Sequence, residues 1–350
     1  MAKMVDVLQI SNHVLIQRTR RLPLAGRVLV AVGDAVQAGD VLAEAILPAG
    51  VITLAVDRGL GVSAEEADEC ALRKPGDALR EGDLLAQCEG TLTRVVRAPA
   101  DGRLIDFSHG KAVIATQELK VTVQAGMPGV VEDIYPEFGV KIRAEGSLVQ
   151  GEWGNGGICE SPLRVLDTLE TEDGEETELA SGEILVIPVV DSAEVFTLIR
   201  KYELAGLVTF WLSPALKQSA QDAGIPILVI SGFGAGEVDP WVWELLQGCQ
   251  DKLASLNANF TLDRFGERPE LVIPGEGEKP ESAMAPQACL AVGQRVRILT
   301  GAAMGQIGRV RALEEPLMFE SGFAFPTTTV ELASGAQVQV PQQDLVILGV

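Results

Sequence analysis

The sequence predicts a multidomain, β-rich α+β protein, and three observations support this prediction. The chain has 350 residues, which corresponds to two or three domains at roughly 100–200 residues each. It contains 37 Gly and 18 Pro, a content typical of turn-rich β proteins and too high for a helical bundle. Its apolar fraction of 47% is enough for buried cores and excludes wholesale disorder.

The charge of the chain restricts its partners. There are 49 acidic and 28 basic residues, which give a net charge of −21. Such a charge argues against a protein that coats nucleic acid or an anionic membrane. The longest apolar runs, near 184–190 and 205–212, are only as long as strands, so no membrane insertion is expected.

The cysteines and histidines indicate the compartment. Five cysteines are scattered without a C-x-x-C pair, which predicts reduced thiols and a cytoplasmic location. No secretory signal is recognisable at the N-terminus. The two histidines, His13 and His109, are too few for a histidine-based metal site, so no metal is expected.

Repeated Gly-Asp turns organise the N-terminal region. Residues 22–45 are alternating apolar runs broken by two such turns, and residues 74–88 repeat the pattern. Residues 98–107 add a turn bounded by proline and a further strand. Two copies of one unit imply pseudo-symmetric halves that close a small sandwich or barrel. The four turns are Gly33-Asp34, Gly39-Asp40, Gly76-Asp77 and Gly82-Asp83.

These residues carry a family resemblance over roughly residues 20–115. The series V-x-x-G-D-x-V-x-x-G-D-x-L, followed by A-P-x-x-G, resembles the biotinyl/lipoyl type of barrel-sandwich hybrid, and LPLAGRVLVAVGDAV is similar to the version in the C subunit of Rnf-type electron-transport complexes. In biotinyl and lipoyl carriers, a lysine at a hairpin tip carries the prosthetic group. That tip falls near Thr91, where no lysine lies. The resemblance therefore implies the hybrid fold within a domain over residues 1–165, without biotin, lipoate or another cofactor.

A glycine-dense loop, QGEWGNGGICE, follows the alternating pattern of residues 120–160. Gly154, Gly156 and Gly157 permit positive φ, so the loop is either a nest of amides that binds an anion or a tight crossover with Trp153 in the core. Because the loop contains no basic residue, we favour the crossover. The three glycines remain candidate ligand-binding residues.

Two further segments are expected to be irregular. Residues 166–183 include eight carboxylates and no basic residue; such runs usually stay solvated, so we predict an exposed acidic loop rather than a cation site. Residues 263–287 are rich in Pro, Gly and Glu, which predicts a linker.

Between them, residues 184–262 predict a small α/β module with a mostly parallel sheet. Strands are expected at 184–190, 206–212 and 225–231, and KLASLNA is a candidate fourth strand. The intervening helices open at Ser213-Pro214 and Asp239-Pro240, in each case a capping residue followed by proline.

The C-terminal segment, residues 288–350, carries the second resemblance. Its pattern G-x-x-V-x-I-x-x-G-x-x-x-G-x-x-G-x-V, from Gly293 to Val310, resembles the KOW motif of some ribosomal proteins and NusG-type elongation factors. The resemblance implies an SH3-like barrel. Glycines bend two strands tightly around a loop in such a pattern.

A glycine loop after the third strand of the α/β module is the first candidate site. Gly232, Gly234 and Gly236 precede a helix, the place where dinucleotide folds bind pyrophosphate. The spacing is G-x-G-x-G rather than G-x-G-x-x-G, and Glu237 and Asp239 would repel phosphate. We therefore favour a tight turn over a site for a small anionic ligand.

Four arginines of the C-terminal segment are the second candidate. They lie two apart in pairs, so each pair can share one strand face and bind RNA phosphates or an acidic partner. The acidic remainder of the chain would repel a polyanion, so we favour solvated faces or intramolecular ion pairs. The residues are Arg295, Arg297, Arg309 and Arg311.

The chain is poorly equipped as an enzyme. No histidine follows His109, and a carboxylate pair cannot be selected among 49 acids, so no catalytic residue is assigned. Mixed β modules joined by linkers favour protein–protein contact. We predict a non-catalytic scaffold or adaptor. Two alternatives stay open: an RNA-, ribosome- or transcription-associated KOW factor, and an enzyme subunit that binds a small anion at the α/β module.

Overall fold

The chain is strand-rich, and its strands form several sheets. The structure is a computed structural model. It describes residues 4–89, 93–169, 179–260, 268–275, 280–282, 285–318 and 322–349.

Strands dominate the N-terminal half, with two short helices between the fourth and fifth strands. The elements are β1 (Met4–Arg21), β2 (Arg27–Val28), β3 (Ala35–Val36), β4 (Val41–Ala55), α1 (Val56–Leu60), α2 (Ala64–Glu69), β5 (Ala78–Leu79), β6 (Leu84–Cys88), β7 (Arg94–Arg97), β8 (Gly102–Ser108), β9 (Lys111–Gln124), β10 (Gly129–Tyr135), β11 (Gly139–Gln150), β12 (Trp153–Gly154) and β13 (Ile158–Val165).

Strands and helices alternate in the middle of the chain. The elements are β14 (Ile184–Val190), α3 (Glu194–Lys201), β15 (Gly206–Leu212), a 3-10 turn (Pro214–Leu216), α4 (Lys217–Gln221), β16 (Ile227–Phe233), α5 (Pro240–Gln247), β17 (Leu253–Asn257) and β18 (Glu270–Pro274).

The described C-terminal elements are again mostly strands. They are β19 (Glu281–Ser282), β20 (Gln287–Cys289), β21 (Arg295–Ile298), β22 (Ile307–Met318), β23 (Ala324–Leu332), β24 (Gln337–Pro341), a 3-10 turn (Gln342–Asp344) and β25 (Leu345–Gly349).

The N-terminal half contains two separate hydrophobic cores. The proximal body, residues 22–45 and 120–142, buries side chains such as Leu42 and Met127 against β1, β10 and β11. The distal body, residues 54–114, buries Leu85 and Leu104 among others. Strands β4 and β9 pair antiparallel from Val41↔Gln124 to Ala55↔Lys111, so this long ribbon connects the two bodies.

The two copies of the Gly-Asp unit form the same turns in different bodies. In the proximal body, the amide of Gly33 donates to Val131 O at 2.9 Å, and the Asp34 carboxylate accepts from Ala31 N. In the distal body, Gly76 N donates to Leu104 O at 2.7 Å, and the carboxylate of the following aspartate again accepts from the amide three residues earlier. The local turns are thus as the repeat suggests, but the copies do not close one sandwich, because each pairs with its own later segment.

A disulfide joins Cys70 and Cys88, with 5.3 Å between their Cα atoms. The prediction that all five cysteines are reduced thiols is therefore wrong for this pair. The two residues are 18 apart in sequence, and the fold of the distal body brings the end of α2 beside the end of β6. No spacing motif marks such a pair in the sequence.

The α/β module has a parallel sheet in the order β14–β15–β16, and β13 extends it by pairing parallel with β14. The strands predicted at 184–190 and 206–212 are confirmed, and the third begins two residues later than predicted. Helix α5 begins at Pro240, as the capping signal predicts. The candidate fourth strand is β17, but it pairs antiparallel, with β13 and β18, rather than parallel with the other strands of the module.

The predicted linker contains a buried strand. Leu271, Val272 and Ile273 of β18 are all buried, and the strand pairs antiparallel with β11 and β17. The expectation of a linker is therefore wrong at Glu270–Pro274, because three consecutive apolar residues outweigh the Pro- and Glu-rich surroundings.

The C-terminal strands form a sheet in the order β25–β21–β22–β23–β24. Gly301 and Gly305 have φ of +81° and +82° in the loop between β21 and β22, which accounts for the glycines there. Strand β1 also takes part: Val7 pairs parallel with Ile347, whereas Ile10 to Arg21 pair antiparallel with β11. The first strand therefore joins the C-terminal sheet to the proximal body.

Some sequence predictions concern residues outside the described ranges. These are the hairpin tip near Thr91, half of the acidic loop (170–178) and parts of the linker. Within the described ranges, no helix is long and apolar enough to cross a membrane.

Candidate functional site

The glycine loop after β16 packs around an indole ring. Trp211 is buried, and its Nε1 donates to Glu237 O at 3.1 Å. A Cβ placed on Gly236 would lie 2.3 Å from Trp211 Cζ2, so only glycine fits beside the ring. Gly305 of the C-terminal sheet approaches the same indole. Gly232, Gly234 and Gly236 are thus placed where the α/β module meets the C-terminal strands, and their ligand-binding role stays a prediction.

The start of α5, the helix that follows the glycine loop, is occupied by the carboxylate of Asp239. This carboxylate accepts from Trp241 N at 3.1 Å and caps α5. The same carboxylate receives two hydrogen bonds from Arg295 Nη2, at 2.8 and 2.7 Å, and it is fully buried. A phosphate at this helix start would meet a buried negative charge that is already paired.

The other three arginines also make contacts within the chain. Arg297 is buried and its Nη1 donates to Ile230 O at 3.3 Å. Burial lowers the pKa of Arg297, and the carboxylates of Glu152 and Asp239 oppose that shift. Arg309 donates to Gly293 O at 3.2 Å, and Arg311 forms an ion pair with Glu331 on the neighbouring strand, β23.

The structure therefore places the four arginines in two environments. Arg295 and Arg297 face the α/β module, whereas Arg309 and Arg311 are exposed. Arg295 and Arg309 are directly opposite each other in the β21–β22 register, so the two pairs adjoin on one sheet face although their contacts differ. Their nucleic-acid role stays a prediction.

The amides of the glycine-dense loop before β13 have partners within the chain. Gly156 N donates to Ala258 O at 2.9 Å, and Gly157 N donates to Asn259 Oδ1 at 3.1 Å. Both glycines have positive φ, of +93° and +87°. Gly154 approaches the backbone so closely that a Cβ would lie 2.2 Å from Ala258 O. These contacts describe a tight crossover, and anion binding by this loop stays a prediction.

The middle of the ribbon between the two bodies carries exposed apolar side chains. Leu47 and Leu119 are directly opposite each other in the β4–β9 register, and Val51 follows beyond Gly50, which has a positive φ of +61°. Their exposed fractions are 37%, 56% and 52%. Strand β2 pairs with β4 only at Ala43 and Glu44, and β8 pairs with β9 only up to Ala115, so among the described strands this stretch is two-stranded.

A polar cleft of about 980 Å³ lies beside the end of β1. Its described lining includes Gly154 and Gly156 of the glycine-dense loop and residues from β1, β9, β10 and β18. Four arginines line it, and Glu270 is the one carboxylate among the described lining residues. The arginines are Arg18, Arg20, Arg21 and Arg268.

A buried ion pair holds two of these arginines. Arg18 Nη2 lies 2.6 Å from Glu270 Oε2, and Arg20 Nη2 lies 3.4 Å from Oε1. Burial of Glu270, which is 2% exposed, favours its neutral form, but the two guanidinium charges outweigh burial, so the pKa of Glu270 is below its ordinary value. Arg20 is further fixed by donating from Nε to Ala125 O at 2.7 Å.

The sequence reasoning missed this cleft. Arg18 and Arg20 are two apart in β1, a spacing that puts both side chains on one strand face, and this was the available signal. Glu270 gave no such signal in the sequence, because it lies in the segment whose composition predicts a linker. No group of three or more His, Cys, Asp or Glu residues in the described part of the chain is arranged to hold a metal ion.

Comparison with known protein families and with curated proteins finds no match to this chain.

Proposed function

We propose that this chain is a non-catalytic scaffold or adaptor that works through protein–protein contacts. In this proposal residues 1–165 are of the barrel-sandwich-hybrid type and the C-terminal sheet is an SH3-like KOW unit. The observation that carries the proposal is the exposed apolar face of the ribbon, formed by Leu47 and Leu119.

The two-stranded part of the ribbon has strand edges and apolar side chains that a partner can cover. A two-stranded ribbon is marginally stable alone in water, and its free edges offer backbone groups to an added strand. Covering a leucine or valine side chain contributes about 1.5–3 kcal/mol when burial is complete. A partner that packs on this face, or adds a strand beside it, gains both kinds of interaction.

The contacts of the other candidate residues support this choice over the two alternatives. Gly236 is packed against Trp211, and Asp239 occupies the start of α5, which disfavours an anionic ligand there. Arg295 and Arg297 are engaged with the α/β module, which leaves fewer guanidinium groups for RNA phosphates.

The test is affinity capture from native lysate with three forms of the full chain. They are the wild type, the double variant Leu47→Glu/Leu119→Glu, and the control Val292→Glu, which changes a residue of the C-terminal segment that is 63% exposed. We expect one or more proteins to co-purify with the wild type and the control and to be lost with the double variant.

Two further results complete the test. Circular dichroism and thermal unfolding of the double variant should match the wild type, since both leucines are exposed. Sedimentation of the purified chain shows whether the partner is a second copy. Capture of the same proteins by all three forms, or of none by the wild type, would overturn the proposal.

A further inference from the structure

The cleft beside the end of β1 has the size and lining of a small-molecule site. Its volume of about 980 Å³ lies at the upper end of the range for ligand pockets, roughly 300–1,000 Å³. It is formed by residues far apart in sequence, including Arg21 of β1, Thr122 of β9, Tyr135 of β10 and Asn259 after β17. Such convergence at a meeting point of several units is typical of binding sites.

The charge of the lining contrasts with that of the chain. Four arginines against one carboxylate give the described lining an excess of three positive charges, in a chain of net charge −21. Two carboxylates that are not among the lining residues, those of Asp6 and Glu152, form ion pairs with Arg268 at 3.0 and 2.7 Å. Counting these two negative charges leaves an excess of one positive charge. Because a concave surface concentrates field lines, a local excess of positive charge attracts anions.

The arginines are also held in place. Glu270 and Ala125 O fix the guanidinium groups of Arg18 and Arg20, so little side-chain entropy is lost when a ligand binds beside them. The guanidinium of Arg21 lies over the ring of Tyr135, 5.3 Å from its centroid, and its side chain is exposed. Stacking on a ring leaves the N–H donors at the edge of the guanidinium plane able to bind an oxyanion.

We propose that this cleft binds a small organic anion that carries phosphate or carboxylate groups. Arg21 supplies the forked donor from one face of β1, and Arg18 and Arg20, on the opposite face, add positive charge at longer range. Neutral polar residues of the lining, such as Thr19, Thr122 and Asn259, contact the uncharged part of the ligand. This site is independent of the ribbon face, so either proposal can fail without the other.

The test uses isothermal titration calorimetry with two probes, tripolyphosphate and citrate, at about 50 mM salt, where surface screening is limited. The proteins are the wild type, Arg21→Gln, Arg21→Lys and the control Arg200→Gln, which changes an exposed arginine of α3 remote in sequence from the lining. We expect one-to-one binding of at least one probe, with Kd below about 1 mM.

The variants separate a built site from general charge attraction. Arg21→Gln should weaken binding about tenfold or more, since a charge-assisted hydrogen bond contributes about 1.5–3 kcal/mol. Arg21→Lys should weaken binding less than Arg21→Gln does, because lysine keeps the positive charge and loses only the forked arrangement of donors. Arg200→Gln should bind the probes as the wild type does. Binding of tripolyphosphate alone identifies a phosphate ligand, and binding of citrate alone identifies a carboxylate ligand.

Two outcomes would overturn the proposal. One is that neither probe binds the wild type below about 1 mM. The other is that Arg21→Gln and Arg200→Gln change the affinity equally, which would indicate attraction to the surface as a whole. Matching thermal unfolding curves of the variants exclude misfolding as the cause of any loss.

Discussion

Replacing Glu270 by glutamine removes the carboxylate that holds Arg18 and Arg20 together. Glutamine keeps the size of the side chain but carries no charge. The substitution therefore tests whether this ion pair, rather than packing, fixes the end of β1 against β18.

The loss of stability expected for Glu270→Gln follows from the distances and burial of this ion pair. At 2.6 and 3.4 Å, and with Glu270 only 2% exposed, the two guanidinium groups interact strongly with the carboxylate. Forming such a pair gives little net gain, because desolvation opposes the attraction, but removing one partner costs about 3–5 kcal/mol. Arg18 and Arg20 have further contacts, so we expect about 3 kcal/mol for Glu270→Gln.

The contribution of Glu270 to stability decreases as the pH falls. Because the folded-state pKa of Glu270 is lowered, its contribution to stability is present above the ordinary glutamate value of 4.5 and is lost as the pH falls through the lower folded value. The wild type should thus lose stability below about pH 4.5 more steeply than Glu270→Gln.

Native-state hydrogen exchange is the suitable assay. Several units of this chain can open separately, so one global unfolding free energy is not well defined. Exchange of the β1, β11 and β18 amides should be faster in Glu270→Gln, whereas Glu44→Gln, at an exposed ion pair, should leave it unchanged. The reasoning would be refuted if Glu270→Gln lowered the free energy of opening of these strands by less than about 1 kcal/mol at pH 7. It would also be refuted if the wild type and Glu270→Gln had the same dependence of stability on acid pH.

Three further changes test other contacts. Gly236→Ala should destabilise the contact around Trp211 by about 1–3 kcal/mol, because the added methyl overlaps the indole, and faster exchange in β16 would report it. Arg295→Gln should cost about 3 kcal/mol by leaving Asp239 buried without its cation, measurable as a lower unfolding temperature. Reducing the disulfide should destabilise the distal body by about 3 kcal/mol for a separation of 18 residues, seen as faster exchange in β6 and β7.

Matched controls accompany these predictions. Gly39→Ala adds a methyl where nothing lies within 4 Å, so it should have little effect beside Gly236→Ala. Arg309→Gln removes an exposed arginine of the same sheet and should cost much less than Arg295→Gln. Alkylation of the unreduced protein from cells, followed by peptide mapping, should leave Cys70 and Cys88 unmodified, whereas the exposed thiol of Cys289 should be alkylated.

Local signals in the sequence predicted several elements of the α/β module. The β-branched run of β14 predicted Ile184–Val190 because such residues suit a buried strand, and Asp239-Pro240 predicted the start of α5 because cap and proline act within one turn. The Gly-Asp turns were predictable for the same reason. Each is closed by an aspartate that accepts from an amide three residues away.

Contacts between distant residues escaped prediction. Strand β1 joins the C-terminal sheet through Val7 and Ile347, and nothing in the first residues indicates a partner so far along the chain. The same Gly-Asp pairs recur in both copies, so the pattern did not reveal that the copies belong to different cores.

The candidate sites show the same limit. The spacing of Arg295 and Arg297 placed them on one strand but did not show that Asp239 would pair with the first. The cleft depends on Glu270 meeting Arg18 and Arg20, about 250 residues earlier, a pairing that composition and period cannot specify.

Site-specific photo-crosslinking in cells that express the protein tests the scaffold proposal most directly. A photoreactive residue is placed at Leu119 on the ribbon face and, as the control, at Val292. The proposal predicts a discrete protein adduct from position 119 that is absent from position 292. Adducts of equal yield at both positions, or none at 119, would contradict it.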